Sequence, residues 1–409
     1  MPLQGDDILE KPRKIRRYWL LIIIFSIIVL FLNGMARWRK FCDFYADHIF
    51  GIWTETYGRL TGLFPFSVGE ILIALAVIIL LVAIICAVCL IFLRKKERYK
   101  RFCITYFKSL LVLILSVILV ITLNCSMLYH CSKLEVTGGA ERKFDFGEKA
   151  YDNTQDNSAD AVEYTRSDFD NLLILRNYLV EKCNELSLLV ERDGQGELTY
   201  SGDLDKKLAE SLKALSDRYP RLSGYYPKAK PMMGSYFMYQ ADTLGIYFPF
   251  TMEANYNQYI SNAYKASTIA HELSHLKGYI YEDEANFIAF MACTESDDLS
   301  VQYSGYLSVL GYVDFDVYNM YSCISYVGKG TYEDFCGGVQ ISEQVLADDA
   351  CYTEDIIEEL ERKTPMIDTD VVSSISESFT DSYLDYYGAE ANYDEVTLLL
   401  LQYYDGVLY

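Results

Sequence analysis

Residues 69–93, GEILIALAVIILLVAIICAVCLIFL, form an apolar run whose single charged residue, Glu70, stands at its start. No other feature restricts the fold as much. A bilayer crossing takes about 17–25 apolar residues as a helix, and this run is long enough to make one. Two further runs accompany it. One extends from Tyr18 to about Leu32, after the basic residues Lys11, Arg13, Lys14, Arg16 and Arg17. The other extends from about Tyr106 to Leu128, with Lys108 near its first end. The first run is read as a retained anchor rather than a cleaved signal, because no small-residue cleavage site follows it and more spans do.

Three spans give the chain an orientation. The two strong basic blocks, residues 11–17 and RKKERYKRF at 94–102, then fall on one side of the membrane. The positive-inside rule makes that side the cytoplasm. Whatever follows the third span is expected outside the cytoplasm, in a multi-pass cell-membrane protein. The charge divides accordingly: residues 1–130 carry a formal +8 and the remainder −29, for a total of −21. This reads as a basic membrane anchor (1–130), a Gly-, Asp-, Asn- and Ser-rich linker (131–165) and an acidic extracytoplasmic domain (166–409). Nucleic acid is excluded as a partner, since it requires a basic footprint. The eleven cysteines are odd in number and give no disulfide framework. Cys86 and Cys89 have C-x-x-C spacing but lie inside a span, where they act as small hydrophobic residues.

The chemistry of the acidic domain centres on His271-Glu272-Leu273-Ser274-His275. Helical residues four apart share a face, so both imidazoles can reach one cation, at about 2.0–2.1 Å for zinc. Glu272 stands beside the first ligand and can take a proton from a water that zinc acidifies to a pKa of about 7. A catalytic zinc has three protein ligands and one open position. The chain has only four histidines, and the other two are His48 and His130, so a carboxylate is the expected third ligand. Glu282, Asp283 and Glu284 follow closely. Gly278 can end the first helix and turn the chain. A second helix from about Tyr281 then presents Glu282 and, one turn later, Asn286, which can hydrogen-bond a ligand imidazole. Glu284 points away from Glu282 on that helix and remains the alternative ligand.

Around the motif the chain reads as mainly helical, α+β. Residues 168–190 and 204–218 carry helical apolar spacing, as do Tyr306, Val309, Leu310 and Val313, and Ile356, Ile357 and Leu360. The run LLLLQYY at 398–404 is expected in the core. Residues 234–250, GSYFMYQADTLGIYFPF, read as two short strands joined at ADTLG, a small β-hairpin. An edge strand beside the metal helix can take an extended peptide by strand addition, which gives residues 243–257 a possible substrate role. Tyr264, Tyr303 and Tyr306 are candidate donors to an oxyanion, and nothing ranks them. Other substrate-binding residues are not identifiable.

The chain resembles the membrane-anchored H-E-x-x-H proteins grouped as a domain of unknown function. The resemblance covers the three spans, GLFPFSVGEIL (62–72), YFPFTMEANYN (247–257), HELSHLKG (271–278), EDEANFIAF (282–290) and QYSGYL (302–307). Those proteins in turn resemble the gluzincins, zinc peptidases with two histidines and a glutamate. Their E-x-x-small-D/N helix matches Glu282, Ala285 and Asn286. The resemblance implies a zincin-like fold for 166–409, Zn2+ held by His271, His275 and Glu282, and Glu272 as general base. The gap from His275 to Glu282 is shorter than in better-known gluzincins. The expected function is a membrane-anchored zinc metallopeptidase acting on a peptide or protein. The alternative is a non-catalytic extracytoplasmic binding or sensor module with a structural or vestigial metal site.

Overall fold

A computed structural model of the chain describes residues 10–93, 95–136, 166–325, 330–363, 367–387 and 396–409. Most of the expected linker, 137–165, lies outside the described residues. The three apolar runs are helices: α1 (Glu10–Met35), α2 (Val68–Leu93) and α3 (Glu97–Ile121). Each is long and apolar enough to cross a membrane, over Tyr18–Met35, Val68–Leu93 and Glu97–Ser126. The third begins earlier than its hydropathy indicates. Arg98, Lys100 and Arg101 end the apolar run but not the helix, because long basic side chains can extend toward water while the backbone stays helical. Helix α3 packs against both α1 and α2. The Asn33 amide donates to Thr122 Oγ1 at 3.2 Å, and the Tyr106 hydroxyl donates to the Ile79 carbonyl at 2.6 Å. Ile23, Leu30, Leu80, Ile91 and Ile114 remain exposed. Helices apolar on all sides like these suit lipid contact.

With three crossings, the chain emerges on the same side after the first span and after the third. The structure joins these two emerging segments into one core with the C-terminal helices. Tyr45, Phe50, Met127 and Leu128 belong to the same buried cluster as Leu175, Leu273, Phe287 and Phe290. The cluster is built on α4 (Arg166–Ser187), α5 (Leu204–Ala214), α7 (Asn262–His275), α8 (Glu282–Thr294), α9 (Leu299–Ser325) and α10 (Val396–Tyr404). Local signals set several boundaries. Asp203 caps α5 by accepting the Lys206 N–H at 3.2 Å. Helices α7, α8 and α9 pack on one another, and α4 packs on α9. The stripe Val309, Leu310 and Val313 is buried, as are Leu360, Leu400 and Leu401, while Ile356 and Ile357 are half-buried.

The sheet has three strands in the order β1-β3-β2: β1 (Lys230–Met232), β2 (Gly245–Phe248) and β3 (Glu253–Asn257). Strand β1 runs parallel to β3, with Lys230 opposite Asn255. Strand β2 runs antiparallel to β3, with Gly245 opposite Tyr256 and Phe248 opposite Glu253. This corrects the reading of 234–250 as a strand pair. Its first half is a short helix, α6 (Ser235–Gln240), and the hairpin lies one element later, between β2 and β3. Ser235 and Met238, three apart, are both buried, and Tyr239 meets the Tyr352 ring at 5.0 Å. Packing on one helical face overrides the strand preference of Tyr and Phe. Strand β3, EANYN, carries no apolar alternation. It is buried because its polar side chains find partners: Glu253 binds Lys230 and Thr251, and the Asn257 amide meets the Tyr352 hydroxyl at 3.1 Å.

Candidate metal centre

Helix α7 ends just past His275. Gly278, at φ +88°, takes the left-handed conformation that ends helices, and the Tyr279 N–H returns to the Ser274 carbonyl at 3.3 Å. The Phe50 ring lies 3.1 Å from where a side chain on Gly278 would begin, so the turn is packed as well as bent. Thr54 Oγ1 donates to the otherwise unpaired Leu276 carbonyl at 2.9 Å. Helix α8 begins at Glu282, four residues after Gly278. Its first turn holds Glu282, Asp283 and Glu284, which suits the positive end of the helix dipole.

This turn brings Glu282 onto the histidine pair. Its Oε2 lies 3.0 Å from His271 Nε2 and 3.6 Å from His275 Nε2. The far side of each imidazole is tied down. His271 Nδ1 pairs with Asn286 Oδ1 at 2.7 Å, and His275 Nδ1 donates to the Tyr279 carbonyl at 2.8 Å. A carbonyl oxygen only accepts, so the His275 proton sits on Nδ1 and the Nε2 lone pair faces Glu282 when the ring is neutral. The same turn that stops α7 therefore also aims His275.

The donor set fits a small divalent cation. The three ligand atoms lie within 4.8 Å of one another, and no other such group of three occurs among the described residues. A tetrahedral centre with bonds of about 2.0–2.1 Å needs donors roughly 3.3 Å apart, and 3.0 and 3.6 Å bracket that spacing. Without a cation, the three groups compensate one another. Burial alone would lower the His275 imidazole, but the adjacent Glu282 carboxylate raises it to about 9. Burial alone would raise Glu282, but the two imidazoles hold it well below the usual carboxylate range. The pair His271 and Glu282 is partly open to solvent, which leaves an approach to the site.

Glu272 lies beside this cluster on the side of the sheet. It is buried next to Gly245 of β2, and the nearby Tyr247 backbone favours its charged form. Its Oε2 has no hydrogen-bond partner. Burial pushes its carboxyl up to about 7, against the pull of both imidazoles. Gly245 is required here. A Cβ at that position would stand 2.4 Å from Glu272 Oε1. The Asn257 N–H donates to the Leu244 carbonyl at 2.7 Å, so by antiparallel alternation Gly245 and Tyr247 turn their backbone groups away from β3. Among the described residues, that outer edge of β2 pairs with no strand and borders Glu272.

Of the expected residues, His271, His275, Glu282, Glu272 and Asn286 come together. Glu284 does not join them. It is buried facing the other way, where its Oε1 accepts the Leu134 N–H at 2.7 Å, and Asp283 meets Lys133 at 3.3 Å. The three candidate tyrosines are engaged elsewhere. Tyr264 bonds Asp349, Tyr303 bonds Asp348, and Tyr306 packs on Phe290 and Tyr178. Reasoning from the sequence gave residues 243–257 a possible substrate role without singling out Gly245 or Tyr247, and it missed the Tyr279 carbonyl. Two of the three act through their backbone, which leaves no signature in side-chain type. Gly245 carried a signal, as an isolated glycine within a strand marks a close approach.

Residues 45–401 match a family described as "Protein of unknown function (DUF3810)". No curated protein and no solved structure matches the chain. The match takes in most of the first loop, two of the three spans, the sheet and the whole His–Glu cluster, and on that extent the chain belongs to the DUF3810 family.

Proposed function

We propose that this chain is a membrane-anchored zinc metallopeptidase with a gluzincin-like, zincin-type domain on the extracytoplasmic side. One observation carries the reading. His271, His275 and Glu282 converge on one point, and beside them a buried carboxylate, Glu272, keeps one oxygen without a partner along the edge of a strand. A purely structural metal site needs no such carboxylate, which counts against the non-catalytic binding or sensor module. The side of the membrane is inferred from the basic blocks at 11–17 and 94–101.

In this reading His271, His275 and Glu282 hold the ion, with Asn286 and the Tyr279 carbonyl fixing the two rings. Zinc supplies Lewis acidity and a water acidified to near neutrality. The peptide lies extended along β2, bonded to the outward backbone groups of Gly245 and Tyr247. Glu272 takes the proton from the attacking water and delivers it to the nitrogen of the departing amine. The test is hydrolysis of a mixed peptide library by the full-length protein, with Glu272→Gln as the control. The reading expects cleavage that falls by at least about a thousandfold in Glu272→Gln while the bound metal stays, a loss of the size seen when a main catalytic group is removed. Equal cleavage by both proteins would remove Glu272 from the chemistry, and no cleavage by metal-loaded wild type would favour the binding module.

A further inference from the structure

Strand β2 is four residues long, and beyond its pairing with β3 it links the candidate site to a span. At Gly245 it abuts the Glu272 carboxylate, and at Phe248 its ring lies against Gly69 in the first turn of α2. Gly245 and Phe248 are three strand steps apart, about 10 Å at roughly 3.3 Å per residue. Glu272 and the start of an apolar span of 26 residues therefore abut opposite ends of one four-residue strand.

The junction is built, not incidental. The Val68 and Gly69 N–H groups, which open α2, donate to the buried Glu253 carboxylate on β3 at 3.1 and 2.8 Å. Glu70, one residue on, accepts the Met233 and Gly234 N–H groups at 3.0 and 2.7 Å. Just past the end of α3, the Asn124 amide donates to the Pro249 carbonyl at the hairpin tip at 2.7 Å. Thr61, ahead of α2, donates to the Thr251 carbonyl at 2.8 Å. The turn end of the hairpin, residues 248–253, is thus bonded to the ends of spans, while its open end at Gly245 abuts Glu272, so the site is held at a fixed depth. The rim between them is apolar and exposed: Leu63, Phe64 and Phe66 leading into α2, Met233 beside Glu70, and Ile246 on β2. Exposed apolar side chains at the mouth of a span are suited to the headgroup region.

We propose that the occupant of this edge is the membrane-proximal segment of a polypeptide anchored in the same bilayer. The proposal rests on the peptidase reading and adds the substrate class to it. A chain leaving the membrane beside α2 reaches the outer edge of β2 within a few residues. A soluble chain must instead find an edge that is flanked by lipid. Anchoring in the same bilayer also raises the effective concentration of the segment.

The experiment uses the full-length protein carrying Glu272→Gln in phosphatidylcholine–phosphatidylglycerol vesicles, with a photo-crosslinking amino acid in place of Ile246 and, in a second variant, of Met233. The probe is a synthetic peptide with one apolar helix and a twenty-residue extended tail, compared with the same tail lacking the helix. Crosslinking requires no hydrolysis, so it reads docking separately from catalysis. The expected result is at least about tenfold more crosslink to the anchored peptide from both positions, mapped within about eight residues of its helix. Equal yields with the free tail, crosslinks confined to the distal half of the tail, or no crosslink from either position would overturn the proposal. Crosslinking as expected, with no cleavage of the same peptide by wild type, would keep the docking surface and reject the peptidase reading.

Discussion

Glu253 offers the strongest test of how the sheet is held to the membrane helices. It is almost wholly buried, and its carboxylate binds Lys230 Nζ, Thr251 Oγ1 and the first two N–H groups of α2. Glu253→Ala removes all four contacts at once. Lys230, itself buried, then keeps only the Thr61 carbonyl at 2.8 Å. Breaking a buried ion pair from one side costs about 3–5 kcal/mol, because the remaining charge is left uncompensated. For a domain of this size each kcal/mol moves the midpoint by roughly 2–4 °C, so the melting temperature should fall by about 10 °C. The assay is thermal unfolding of the full-length protein in detergent, followed by intrinsic fluorescence at one fixed scan rate. The double variant Lys230→Met, Glu253→Leu removes both charges and should regain at least half of the loss, since an apolar pair of similar volume often replaces a buried ion pair without penalty. A midpoint for Glu253→Ala within about 2 °C of wild type would refute the reasoning, as would a double variant less stable than the single one.

Three further outcomes follow from the site. Gly245→Ala brings a methyl within 2.4 Å of Glu272 Oε1, about 1 Å inside ordinary contact; hydrolysis should fall roughly a hundredfold with metal content unchanged, measured as kcat/KM beside metal analysis. Asn286→Ala frees the His271 ring and should weaken metal affinity by about 10–100-fold, read by competition with a chelating dye. Glu284→Gln, which leaves an oxygen to accept the Leu134 N–H, should keep full metal occupancy, and loss of the metal would make Glu284 a ligand after all.

What could be read from the sequence tracks the range of the interactions involved. The three spans were legible because bilayer thickness fixes their length, and only the start of α3 was misplaced, at Arg98, Lys100 and Arg101. The turn from α7 to α8 was legible because Gly278 has to adopt a positive φ there, and the helix that follows must place Glu282 and Asn286 one turn apart. The preference for Glu282 over Glu284 followed from the same periodicity. The sheet was harder. Strand β1 is three residues with a central proline, and β3 is polar, so neither shows the alternation that marks a strand. Both are stabilised by long-range partners such as Lys230 with Glu253, which no local pattern encodes. The packing of residues 39–61 and 126–136 against the H-E-x-x-H turn was hidden for the same reason: Phe50 against Gly278, Thr54 with Leu276, and Leu134 with Glu284 are all separated by at least 150 residues.

The most direct test of the account is the metal stoichiometry of the full-length protein purified in detergent without chelator, set beside His271→Ala, Glu282→Ala and Glu272→Gln. The account predicts one zinc per chain in wild type and in Glu272→Gln, and near-complete loss in His271→Ala and Glu282→Ala with the fold retained by circular dichroism. A folded wild-type protein that takes up no divalent metal, or one whose metal survives both ligand substitutions, would contradict it.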